Sequence, residues 1–94
     1  MALFQFTPAA LNLLFGYLAA VAVFFLLHLW LWRQDPTHYK GATGAFDMLY
    51  YSSSTQVGVG YGDIMPTSRA SKALTMLQQL VMFFFLANIF LQVF

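Results

Sequence analysis

The sequence predicts an all-α membrane protein, with two transmembrane helices flanking a re-entrant half-helix and one glycine-rich strand. Three observations lead there. Of the 94 residues, 61% are hydrophobic and only 7% charged, against roughly 25% charged in soluble domains. The stretches 1–32 and 73–94 contain no charged side chain. Between them runs Val57-Gly58-Val59-Gly60-Tyr61-Gly62-Asp63, with glycine at every second position.

A soluble fold of this composition would have too little polar surface to cover its core, whereas in a bilayer apolar surface faces lipid. The composition predicts one membrane unit and no separate soluble domain. The absence of cysteine excludes disulfides and thiolate metal sites. A net charge of +1 argues against a nucleic-acid partner. The start of the chain lacks a basic region, and the apolar stretch after it is too long for a signal peptide.

The elements follow in order. Residues 1–7 read as a short interfacial lead-in. Thr7 suits a helix cap and Pro8 the first helical position, so residues 8–32 form the outer span, long enough for a hydrocarbon core of ~30 Å. Trp30, Trp32 and Arg33 mark its end as an aromatic belt followed by a charge. Residues 33–45, with Asp35-Pro36, Gly41 and Gly44, form a turret loop. Residues 46–56 read as a short helix whose start Asp47 favours. It is too short to span, and a half-helix is tolerated at membrane depth only where protein or water surrounds it. Residues 57–63 are the glycine strand. A capped start at Thr67 or Ser68 leads into the inner span, 69–94.

The alternation in the strand has a physical meaning. Glycine enters the left-handed region at little cost, while valine and tyrosine do not. A strand whose dihedrals alternate in hand points successive carbonyls to one side. Carbonyls gathered around an axis make a dehydrated path for cations. A dinucleotide-binding loop is a poor competitor, because Asp63 occupies the last glycine of that motif and no βαβ pattern surrounds it. No arrangement of catalytic or metal-ligating side chains stands out, so no enzyme is expected.

The pattern Thr55-x-x-x-Val59-Gly60-Tyr61-Gly62-Asp63-x-x-Pro66 resembles the pore module of potassium channels. In its shortness the chain looks most like the miniature potassium channels of algal viruses. The resemblance implies that Val59, Gly60, Tyr61 and Gly62 form the outer selectivity filter and that Asp63 is the carboxylate at its mouth. It implies that Thr55 is the pore-helix threonine and that Tyr50 and Tyr51 brace the filter. Lys72 resembles the basic residue near the outer start of the second span. Two departures stand out. The family usually carries Thr-Thr where this chain has Val57-Gly58, so the innermost ion site keeps a carbonyl and loses a hydroxyl. Where many members have a glutamate behind the filter, this chain has Ser54.

One chain supplies one filter strand, so the reading requires a homotetramer in a lipid bilayer. It conducts K⁺ passively over the carbonyls of Gly58, Val59, Gly60 and Tyr61, with Gly62 closing the run, and has no cofactor beyond the permeant ion. The alternatives are a weakly selective cation channel, because of Gly58, and a non-conducting membrane protein that keeps the fold. No arginine-rich helix suggests a voltage sensor. All four basic residues, Arg33, Lys40, Arg69 and Lys72, lie between the spans. The positive-inside rule would place that loop in the cytoplasm. The resemblance places it outside, with both termini cytoplasmic, in a host membrane if the chain is viral, and the expectation follows the filter.

The inner span offers two faces. One is Ser71, Thr75, Gln78, Met82, Phe85, Ile89 and Gln92; the other is Gln79, Phe83, Leu86, Phe90 and Phe94. Polarity favours the first as the pore face; the family register favours the second, and the expectation follows it, with Phe90 or Phe94 forming an inner constriction that gates by dewetting. The polar face then serves helix contacts, with Gln78, Asn88 and Gln92 bonding between chains. His28 reads as a packed or interfacial residue, Asn12 as interfacial or bonded between helices, and His38 as a solvated loop residue.

Overall fold

The computed structural model describes residues 8–57 and 62–93. The lead-in 1–7, the strand residues Gly58, Val59, Gly60 and Tyr61, and Phe94 lie outside the described residues.

Helix α1 runs Pro8–Gln34, two residues beyond the expected end. Arg33 and Gln34 stay helical, and the chain breaks at Asp35, which precedes Pro36 and adopts an extended conformation (φ −159°, ψ 111°), as the proline ring requires of its neighbour. Asp35 then caps a single 3₁₀ turn, Pro36–His38, accepting hydrogen bonds from Thr37 N at 3.0 Å and Thr37 Oγ1 at 2.8 Å.

The turret is more ordered than its composition predicts. Tyr39–Lys40 (β1) pairs antiparallel with Met65–Pro66 (β2), in the register Tyr39 opposite Pro66 and Lys40 opposite Met65. Two-residue strands carry no readable periodicity, so sequence reasoning missed this ladder. Thr67 N extends the link to the carbonyl of His38 at 2.9 Å.

Helix α2 spans Ala45–Gln56. Asp47 in its first turn reaches back to Thr43, accepting from N at 2.8 Å and Oγ1 at 2.7 Å. Helix α3 spans Arg69–Val93. Its capped start falls at Ser68: Ser68 Oγ accepts from Ser71 N at 3.1 Å while Ser71 Oγ accepts from Ser68 N at 3.0 Å, a reciprocal cap in which serine takes the usual place of glutamate.

The long helices pack on each other and both contact α2. The close approach of α1 and α3 depends on Gly16, where a Cβ would lie 2.9 Å from the Phe85 ring; small residues permit such contacts between membrane helices. The apolar core sits at the loop end, formed by Leu31, Tyr39, Met48, Tyr51 and Ile64. Only 17% of each span's most apolar window is buried, so the rest of that surface is left for lipid or other chains.

Candidate functional site

Between α1, α2 and α3 lies a chain of buried polar side chains. It begins at Tyr39 on β1, whose hydroxyl meets His28 Nδ1. His28 Nε2 meets Gln78 Oε1 at 2.9 Å. Gln78 Nε2 faces Ser52 O at 2.9 Å, Ser52 Oγ at 3.1 Å and Gln56 Oε1 at 2.9 Å. Gln56 Nε2 donates to Tyr17 O at 3.3 Å, and the Tyr17 hydroxyl returns a bond to Gln56 O at 3.0 Å. Ser52 Oγ donates to Val21 O at 2.9 Å. His28, Ser52, Gln56 and Gln78 are fully buried.

The partners determine every orientation in this chain. Ser52 O and Tyr17 O only accept, so the amide nitrogens of Gln78 and Gln56 must face them. That turns Gln78 Oε1 toward His28, whose Nε2 must then carry the proton. Neutral His28 presents Nδ1 as an acceptor, and Tyr39 donates to it. Burial holds the Tyr39 phenol well above its ordinary pKa, so it remains a donor. All the bonds run one way, from Tyr39 through His28 and Gln78 to Gln56. Removing one member would leave buried partners unsatisfied at about 1–3 kcal/mol each.

Aromatic rings enclose the hub. The His28 ring meets Tyr39 edge-on with centroids 5.5 Å apart and Tyr51 at 5.1 Å. Tyr51 is buried, and its hydroxyl bonds to Thr75 Oγ1 on α3 at 2.8 Å. Tyr50 is half-buried and lines a recess with Phe46, Asp47 and Asp63. Thr55 is buried near the end of α2.

Beyond the undescribed segment the chain resumes at Gly62, whose φ is +83°. Asp63 is exposed. Its carbonyl lies against Gly41, where a Cβ would run into that oxygen; Gly41 has φ +93°. The turret therefore touches the chain directly beside the carboxylate position.

His28 is packed, as expected, and it also joins β1 to α3. Three other side chains differ from expectation. The hydrogen bonds of Gln78 stay within its own chain, because Ser71, Thr75, Gln78 and Met82 form the face of α3 buried within the chain. His38 is half-buried, with Nδ1 2.5 Å from Ser68 Oγ. Asn88 bonds its own helix, at Phe84 O, 2.7 Å, and Asn12 is exposed. The second face of α3, Gln79, Phe83, Leu86 and Phe90, is exposed in the single chain. The side chain of Gln92 lies outside the described residues. Polarity alone pointed to Gln78 as pore-lining; a buried glutamine that bonds α1 and α2 gives the same sequence signal.

With two apolar spans, a half-helix between them and the glycine run at its end, one comparison decides the class. A family model described as ion channel matches residues 12–94. The chain belongs to this ion channel family. No curated protein and no solved structure gave a match. The channel is thus a membrane protein that moves ions and catalyses no reaction.

Proposed function

We propose that four copies of this channel assemble around an axis and conduct K⁺ selectively. The observation that carries the reading is the run Val59-Gly60-Tyr61-Gly62-Asp63, between the end of α2 at Gln56 and the ladder at Met65, in a member of an ion channel family. The carbonyls of Gly58, Val59, Gly60 and Tyr61 replace the hydration shell of K⁺, and several adjacent weak sites let ions leave as readily as they enter. The α2 C-terminus, immediately before the run, carries the negative end of the helix dipole, which favours a cation on that side. Asp63 from each copy concentrates cations at the mouth.

The tetramer rests on two supports. A single strand cannot encircle an ion. Among the described residues, a groove of about 250 Å³ lined by Tyr51, Thr55, Gly62, Thr75 and Gln79, among others, lies open in the single chain, where a neighbouring copy would cover it. Phe90, or Phe94, narrows the inner mouth. The loop carrying Arg33 and Lys40 lies outside and the termini in the cytoplasm.

Liposomes loaded with K⁺ and diluted into Na⁺ test this. The channel makes their interior negative, which drives protonophore-mediated proton uptake. A flat signal from vesicles holding verified tetramers contradicts the reading. Gly58 favours one second reading, a weakly selective cation pore, because the innermost site has no hydroxyl to complete its coordination.

A further inference from the structure

The polar chain from Tyr39 to Gln56 joins the two ends of the proposed filter. On the inner side, Gln56 is the last residue of α2, two positions before Gly58. Its side chain and carbonyl are both held, by Gln78 and Tyr17. On the outer side, Tyr39 lies opposite Pro66 in the β1–β2 ladder, three positions beyond Asp63. His28 and Gln78 close the gap between them. The Ser54 hydroxyl is turned back to Tyr51 O, within α2, at 3.1 Å.

We propose that Tyr39, His28, Gln78 and Gln56 form a hydrogen-bonded brace behind the filter, which fixes the separation of its two ends and so holds it in conducting geometry. The proposal rests on the reading of residues 58–61 as a filter. The brace acts as one unit, because its bonds run in one direction and share buried atoms. Gln78 is its only member on α3 and splits its amide between His28 on one side and Ser52 and Gln56 on the other. A shift of α3 therefore strains both ends of the filter together. These four are positioning residues, since they act on the ions through the backbone they hold.

Single-channel recording in planar bilayers with the full chain tests the brace. Tyr39→Phe removes one hydroxyl and keeps the ring. Gln78→Leu keeps the approximate volume and removes every polar atom. Gln78→Glu keeps the acceptor for His28 and loses the donor to Ser52 and Gln56. Each cut should shorten openings by about tenfold, the factor expected when a buried hydrogen bond is lost, and raise Na⁺ permeability relative to K⁺. Gln78→Glu should behave like Gln78→Leu. The double variant Tyr39→Phe/Gln78→Leu should be no worse than Gln78→Leu alone, because a brace cut once is already released.

Variants that assemble as tetramers and keep the open times and permeability ratio of the unmodified channel overturn the brace. Effects that simply add in the double variant overturn it too, since they indicate separate packing roles. If Gln78→Leu does not assemble, Tyr39→Phe alone decides. An unmodified protein that passes no current overturns the filter reading, and the brace with it.

Discussion

Gly41 and Gly62 both have positive φ, +93° and +83°, but different things hold them there. At Gly62 no described atom lies within 4 Å of the place a Cβ would occupy, so among the described residues it is backbone conformation that requires glycine. At Gly41 the conformation and the space both require it, because a Cβ would displace the Asp63 carbonyl. A left-handed conformation costs an L-residue roughly 1–2 kcal/mol, and the contact adds to that at Gly41. Gly41→Ala should therefore push the backbone at Asp63 away from the turret. Reduced unitary current with tetramers still formed is the expected result; recordings identical to the unmodified protein would show that the loop yields without moving Asp63. Composition marked Gly41 only as a loop breaker, because its neighbour across the ladder is 22 positions away in the chain. His28 was underestimated for the same reason: a lone histidine in an apolar helix gives no sign of Tyr39 or Gln78.

At the scale of elements, helix positions were legible because long uncharged runs and a Ser-rich half-helix are local signals. The start of α3 was legible where a cap marks it, at Ser68, whereas α1 runs past the expected end at Trp32 to Gln34, just before Asp35-Pro36. The β1–β2 ladder was not legible, since nothing in two residues announces a partner. The caps also make an acid prediction. Asp35 and Asp47 have pKa values below the ordinary aspartate range, chiefly because Thr37 N and Thr43 Oγ1, respectively, donate to the ionised carboxylates. A lowered folded-state pKa means that the stabilisation is present above about pH 3.9 and is lost as pH falls through the folded values. Asp47→Asn and Asp35→Asn should thus lower thermal stability slightly at pH 7, and the gap to the unmodified protein should close below about pH 4. Melting of the detergent-solubilised protein across that range measures it. A gap that does not narrow at all as the pH falls through the carboxylate range would show that neither cap depends on charge.

At the scale of the molecule, the described residues extend 49 Å along the long axis, more than a ~30 Å hydrocarbon core, with the apolar core at the loop end and the polar chain running from Tyr39 to Tyr17. Both spans leave most of their apolar surface uncovered by their own chain, free to face lipid or other chains. The class was readable because two long apolar runs with a glycine run between them need no tertiary context to be recognised. The polar chain between the helices was not, because its residues come from four elements. The central claim, that carbonyls of Gly58–Tyr61 select K⁺, is tested most directly by the single-channel reversal potential with K⁺ on one side of a planar bilayer and mostly Na⁺ on the other. The account predicts reversal close to the K⁺ equilibrium potential. Reversal near zero in a steep K⁺/Na⁺ gradient would contradict it and leave a cation pore made permissive by Gly58.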